Sequence, residues 1–519
     1  MKSYISIAYK WLHDSYLYPL FFTVITFFLL RIPSLIEPYW YGDEGIYQVI
    51  GVALREGRLL YRDIWDNKPP LLYLMYALFN GDLFWVRFAS LIAGAASIII
   101  FFKLCQKLLE KRYAIYFATF LYAVALGLPL FEGNIANAEN FMLLPVVWSA
   151  YLLFTFSQTK DEKKLLLAGL LLSSAFLIKI VALFDFVAFL VYLLFYNRAS
   201  RRVLLRLKHL VSSLFKIKPA KLRRIRLPLA HTLRRVFTAF SDEFIFGAAF
   251  ILPIGMVSAY FFIQGIFPDY YRAVFLQNVG YVGYENYFLI PMGLLIIKLV
   301  VLIAIIVLLY LYRSLLRPTF VFILLWLSFS LFNALFSDRP YTHYLLVMIP
   351  SFCLLLGTWV SDQRWIKINL LLVVIVLLIV GKKFNLYSKV FPYYQNYIEF
   401  VFGGKSVGQY RSFFDRNTLR DYEVSQFLLA NTTSKDSVFL WTDSAQIYIL
   451  SQKLPPGRYI VAYHITFYKS ALGEMQKVVY EKKPKFIVVT KDSPYVFLFL
   501  EEYELRYKIK EAKIYERKI

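Results

Sequence analysis

The chain has 519 residues, 59% of them apolar and 19% aromatic, with 58 basic against 34 acidic side chains and a formal charge of +24. Its mean hydropathy is +0.55. A soluble protein of this length cannot hide so much apolar surface, and a disordered chain would not carry it. The two cysteines, Cys105 and Cys353, both lie in apolar runs, which excludes a disulfide framework and a structural zinc site.

A segment of about 20 apolar residues crosses the hydrocarbon core of a bilayer. In chain order such segments predict helical spans near 17–36, 83–104, 112–131, 138–158, 164–180, 181–196, 243–264, 292–313, 318–336, 341–360 and 365–381, about eleven in all. The first follows a short polar start (Lys2, Lys10, His13, Asp14) with no small-residue cleavage site, so it reads as a retained helix rather than a signal peptide. Within the first outer loop, 37–82, the run Pro69–Asn80 is apolar but too short to span. It suits a re-entrant or interfacial helix with Pro69 and Pro70 in the first turn, where a missing N–H does no harm.

Cytoplasmic loops carry excess Lys and Arg. The groups Lys103, Lys107, Lys111 and Arg112; Lys160, Lys163 and Lys164; Arg313 and Arg317; and Arg364 and Lys367 all fall on one side if the N-terminus is cytoplasmic. The loop 198–240 joins them, and Arg198–Arg235 holds 13 Lys or Arg and no Asp or Glu. The positive charge therefore reports topology and attraction to anionic lipid headgroups, and no nucleic-acid partner is expected. Apolar residues interleaved with those cations suit an amphipathic helix on the cytoplasmic leaflet. An odd number of spans puts the C-terminus outside. The expected fold class is a polytopic α-helical protein of the plasma (inner) membrane, residues 1–381, followed by an extracytoplasmic soluble α/β domain, residues 382–519.

In that last segment, residues 415–519 alternate in character. A helical run at Asp421–Ala430 precedes the strand-like Val438–Trp441. Ala445–Leu450, Arg458–Ala462, Ala471–Glu481 and Phe486–Thr490 continue the alternation, and Arg506–Tyr515 reads as a last strand. Alternating elements favour a mostly parallel sheet covered by helices. No glycine-rich phosphate loop occurs, so no nucleotide cofactor is expected.

Four polar groups map to the outer side. Asp43 and Glu44 follow the first span, and a carboxylate pair there can take a proton from a hydroxyl or bind a divalent cation. Lys68 stands just before a helix start, where a lysine and a helix N-terminus can hold a phosphate. Glu139 and Asn140 open the fourth span, where a carboxylate also serves as a dipole partner. Arg339 and His343 lie four residues apart before the tenth span; Arg can bracket a phosphate and His can donate or transfer a proton. Asp269, Arg272, Gln277 and the tyrosines of 267–289 suit either a sugar site or an interfacial belt. Lys179 and Asp185, at the junction of spans five and six, read as interfacial.

These residues resemble the GT-C superfamily of integral-membrane glycosyltransferases, in the branch of the protein O-mannosyltransferases and the lipid A aminoarabinose transferase. The shared pattern is Asp43–Glu44 in the first outer loop, the Lys-Pro-Pro-Leu-Leu-Tyr run Lys68–Tyr73, and the Arg-x-x-x-His-Tyr of Arg339, His343 and Tyr344 leading to Pro350. The resemblance implies inverting transfer of a sugar from a polyprenyl-phosphate donor to a protein, lipid or glycan acceptor at the outer face. It makes Asp43 the base or acceptor-orienting group, with Glu44 beside it. Lys68, Arg339 and His343 would hold the leaving lipid phosphate, and Glu139, Asn140, Tyr344 and Tyr73 would line the substrate. Many members carry His before the Lys-Pro-Pro run where this chain has Asn67, so a divalent metal stays unassigned. Two other classes remain open at this point: a lipid or sugar transporter or flippase, and a non-catalytic membrane-anchored envelope assembly protein.

Overall fold

A computed structural model describes residues 17–196, 240–278, 293–336, 341–362, 366–383, 386–468 and 470–518. Each expected span contains a helix: Leu17–Arg31, Leu83–Leu108, Arg112–Gly127, Ala138–Thr159, Glu162–Ile178, Leu183–Tyr196, Ser241–Ile263, Gly293–Tyr312, Pro318–Ala334, Ile349–Ser361 and Ile366–Lys383. Among the described residues six helical stretches are long and apolar enough to cross a membrane; Arg112–Gly127, Ile180–Tyr196 and Pro318–Ala334 are apolar but shorter. The basic loop Arg198–Arg235 lies outside the described residues. The chain is a multi-pass membrane protein.

Helices form here because hydrocarbon offers backbone groups no partner outside the segment itself. Their ends are set by short polar side chains. Asp82 accepts from the Trp85 N–H at 3.0 Å to start Leu83–Leu108, and Asp161 accepts from the Lys163 N–H at 3.2 Å to start Glu162–Ile178. Small residues set the close crossings. A Cβ on Gly169 would stand 2.6 Å from the Phe246 carbonyl oxygen, so only glycine lets Glu162–Ile178 and Ser241–Ile263 touch there.

The first loop folds as two helices, Gly42–Arg55 and the short Pro70–Leu78 expected from the double proline. They cross at Gly51, where a Cβ would meet the Tyr76 backbone at 2.8 Å.

The C-terminal sheet corrects one expectation. Strands β1 (Val438–Trp441), β2 (Phe486–Val489), β3 (Tyr503–Ile509) and β4 (Ala512–Arg517) run in the order β1-β2-β4-β3. Only β1 and β2 are parallel; β4 is antiparallel to both its neighbours. The stretch read as one strand, Arg506–Tyr515, is a hairpin turning at Lys510, which takes φ 51° without a glycine to announce it. Edge strand β3 is mostly exposed and so lacks an apolar alternation. Arg458–Ala462 is not a strand but leads into the helix Ala462–Phe467.

This domain sits on the first loop. A Cβ on Gly45 would lie 2.8 Å from the Gln446 backbone nitrogen, so the helix Gln446–Leu450 rests against Gly42–Arg55 with nothing between them. The Trp65 N–H donates to the Arg458 carbonyl at 2.9 Å, and the Tyr39 N–H to the Tyr422 hydroxyl at 3.1 Å.

Candidate active site

Asp43 is the second residue of the Gly42–Arg55 helix, partly exposed, and accepts from the Tyr47 hydroxyl at 3.3 Å. Burial alone would raise its pKa. The positive groups Lys68, His343 and Lys179 outweigh that and hold the carboxyl below its ordinary value, so it is ionised near neutral pH.

Each lysine near it is held by a second carboxylate. Lys68 Nζ lies 3.7 Å from Asp66 Oδ2 and 5.5 Å from the centre of the Tyr47 ring. Asp66 is in turn fixed by the Tyr73 hydroxyl, which donates at 2.7 Å and accepts from the Lys68 N–H at 3.1 Å. Lys179 pairs with Glu139 and stands 5.0 Å above the Tyr344 ring. Both lysines are about one-fifth exposed or less, while Asp66 and Glu139 are buried.

His343 is oriented from the other side. Its Nδ1 lies 2.8 Å from Glu132 Oε2, and its Nε2 lies 3.8 Å from Glu139 Oε1. Glu132 also accepts from the Tyr41 hydroxyl at 2.5 Å and from Thr342 Oγ1 at 2.9 Å. Burial would raise the Glu132 pKa, but these bonds, His343 foremost, lower it. Glu132 has φ 59°, a left-handed conformation that costs a non-glycine residue roughly 1–2 kcal/mol and aims its carboxylate at this cluster. Asn140 supports the same turn, donating from Nδ2 to the Ile135 carbonyl at 2.7 Å and the Glu132 carbonyl at 3.1 Å.

Glu44 differs from its expected place beside Asp43. Consecutive helix residues point about 100° apart, and Glu44 turns inward. It accepts from Arg87 at 3.0 and 2.6 Å and from the Ala136 N–H at 2.7 Å, which occupies both oxygens. Arg339 lies outside the described residues. No group of three or more His, Cys, Asp or Glu among the described residues is arranged to hold a metal ion.

The cluster thus gathers Asp43, Lys68, His343, Glu139, Tyr73 and Tyr344 as expected, while Asn140 spends its amide on the Glu132 turn. It adds Lys179, which read as interfacial, and Glu132, Asp66 and Tyr41. A charge near the junction of two apolar segments was the available signal for Lys179. The C-terminal domain adds a wall. His464 Nε2 lies 3.7 Å from Asp66 Oδ1, and burial pushes the His464 pKa down to about 4, so the ring is neutral. Asp185, the other junction residue, is buried and accepts from Trp326 Nε1 at 2.8 Å, away from the cluster.

The arrangement can do three things. An ionised carboxylate can take a proton, two lysines can stabilise an oxyanion, and a histidine held by two glutamates can donate a hydrogen bond. Three likenesses to known proteins bear on this. The family model for dolichyl-phosphate-mannose-protein mannosyltransferase matches residues 68–218, beginning at Lys68. The model for the putative competence-induced protein Ccs4 C-terminal domain matches residues 420–518. The crystal structure of ArnT from Cupriavidus metallidurans bound to undecaprenyl phosphate superposes with a TM-score of 0.50 at 14% identity, covering 95% of this chain and 97% of that one. No curated protein sequence matches the chain. The fold is the GT-C fold.

Proposed function

We propose that this chain is an inverting glycosyltransferase that moves a hexose or pentose from a polyprenyl-phosphate donor to an acceptor on the outer face of the membrane. One observation carries the reading: a partly exposed Asp43 in the first loop is held ionised by the nearby positive groups Lys68, His343 and Lys179. The match of residues 68–218 to a lipid-phosphate-sugar-dependent family and the shared fold with ArnT support it.

In the proposed step the acceptor hydroxyl attacks the anomeric carbon from the face opposite the phosphate. Its proton passes to Asp43, the new C–O bond forms, and the bond between the anomeric carbon and the phosphate oxygen breaks. The polyprenyl phosphate leaves with the electron pair. Negative charge then grows on the phosphate, where Lys68 and Lys179 stabilise it in a low-dielectric setting. Asp66 and Glu139 keep the two ammonium groups in place before the charge develops. Loop charge supports a cytoplasmic N-terminus and an extracytoplasmic C-terminal domain.

The test is release of polyprenyl phosphate by purified protein from a panel of polyprenyl-phosphate sugars, beside the Asp43→Asn form. Release from one donor that the variant loses supports the reading. A variant that binds and turns over donor normally refutes the role of Asp43.

A further inference from the structure

A separate cleft of about 220 Å³ opens where the C-terminal domain meets the first loop. Its aromatic wall is Trp65, Tyr459 and Tyr468. The Trp65 ring lies 4.4 Å from Tyr468 and 5.6 Å from Tyr459, centre to centre. The lining also holds Arg272, Gln277 and Arg458, the last with its guanidinium 5.0 Å from the centre of the Tyr459 ring. Arg458 is held rigid by Asp269 at 3.3 Å and Glu474 at 2.7 Å. Arg272 is exposed and makes no ion pair among the described residues; it begins a π-helical turn, Arg272–Leu276, a distortion often found at functional sites.

The chemistry of this lining is specific. Aromatic faces pack on the C–H faces of a pyranose ring, and planar guanidinium, carboxylate and amide groups match pairs of neighbouring hydroxyls. The volume is below the roughly 300–1,000 Å³ of sites for drug-sized ligands, so it suits one ring. Its charged groups do not suit a prenyl chain. The position matters too. Trp65 precedes Asp66, which holds Lys68, and the Trp65 ring meets the His464 ring at 5.2 Å. Consecutive residues, Trp65 and Asp66, therefore belong to the cleft and to the Asp43 cluster.

We propose that the cleft binds a sugar ring of the acceptor, so that the acceptor is a glycan or glycolipid rather than a protein hydroxyl. This rests on the transferase reading above. The cleft would seat a ring next to the one that receives the transferred sugar, with the C-terminal domain contributing half of its lining residues.

The test is calorimetric binding of maltotetraose, chitotetraose, β-1,4-mannotetraose and a serine-containing heptapeptide to the full chain in nanodiscs, with polyprenyl-phosphate-sugar binding measured in the same samples. We expect one tetrasaccharide to bind. Arg272→Ala and Gln277→Leu should each weaken it at least tenfold while leaving donor binding unchanged, since neither side chain belongs to the Asp43 cluster. Failure of every tetrasaccharide in protein that binds donor overturns the proposal. So does binding that neither variant alters, or the peptide binding in their place. Saccharide binding that depends on Arg272 without any donor binding supports the cleft and instead removes the transferase reading.

Discussion

Replacing Glu44 by Gln tests whether the two adjacent carboxylates of the first loop share one task. Arg87 is 0% and Glu44 2% exposed, and their bonds of 3.0 and 2.6 Å make a bidentate pair inside the protein. Removing one partner of a buried ion pair costs about 3–5 kcal/mol, because the other charge stays buried and unpaired. Glutamine keeps one acceptor oxygen, and Glu37 lies 3.8 Å from the same guanidinium, so the expected cost is at the low end, about 3 kcal/mol. At about 2 °C per kcal/mol for a large chain, the melting temperature should fall by roughly 6 °C. Asp43 is different. It is partly exposed and receives one long bond from Tyr47, and its cations Lys68 and Lys179 keep Asp66 and Glu139 as partners, so Asp43→Asn should lower the melting temperature less than Glu44→Gln does. Its turnover should fall about 10²–10⁴-fold, the usual contribution of a positioned base. Both variants are heated in detergent, and the folded fraction is read by size-exclusion chromatography beside release of polyprenyl phosphate. A Glu44→Gln protein of normal stability that has lost turnover would refute the division of roles.

Three further outcomes are expected. Lys68→Ala and Lys179→Met should each lower turnover about 10²–10³-fold, the scale of one lost oxyanion donor, measured as initial rates at saturating donor. His464 has its pKa lowered to about 4 from 6.5, so between those values the unfolded chain binds a proton that the folded one refuses. Stability is therefore full above pH 6.5 and falls as pH drops, by about 3 kcal/mol at pH 4 at about 1.4 kcal/mol per pH unit; His464→Gln should flatten that slope in melting curves from pH 7 to 4. Gly45→Val should unseat the C-terminal domain, because its Cβ would meet the Gln446 backbone at 2.8 Å, and limited proteolysis should then release a fragment near residues 415–519.

Which parts of this were legible in the chain follows from how local each signal is. An apolar run of membrane length declares its helix without help from the rest of the protein, and every such run from Leu17 to Lys383 contains one. The Pro69–Pro70 pair likewise announces its helix start. The hairpin of β3 and β4 is silent by comparison, since its outer strand faces solvent and its turn uses lysine. The site divides in the same way. Asp43, Lys68 and His343 stand in short motifs, and they do converge. Glu44 stands in a motif as well, yet its partner Arg87 is 43 residues away inside a span, and only the folded chain shows that the pair is structural. Glu132, in its left-handed turn, becomes a partner of His343 only through contacts 211 residues apart.

The stitching of the first loop to the C-terminal domain has a consequence for biosynthesis. Tyr39 bonds Tyr422, 383 residues later, and Arg58 bonds the Pro455 carbonyl, 397 residues later. The entropic cost of closing so long a loop grows only slowly with its length, so the delay is one of timing rather than of energy. Until the tail has been translated and placed beside the loop, Trp65 and the face of Gly42–Arg55 that meets Gln446 have no cover. A ribosome-bound chain with all its membrane helices inserted would still lack one wall of its reaction chamber. Chemistry on a lipid-linked sugar would begin only when the last hundred residues have closed over the first loop.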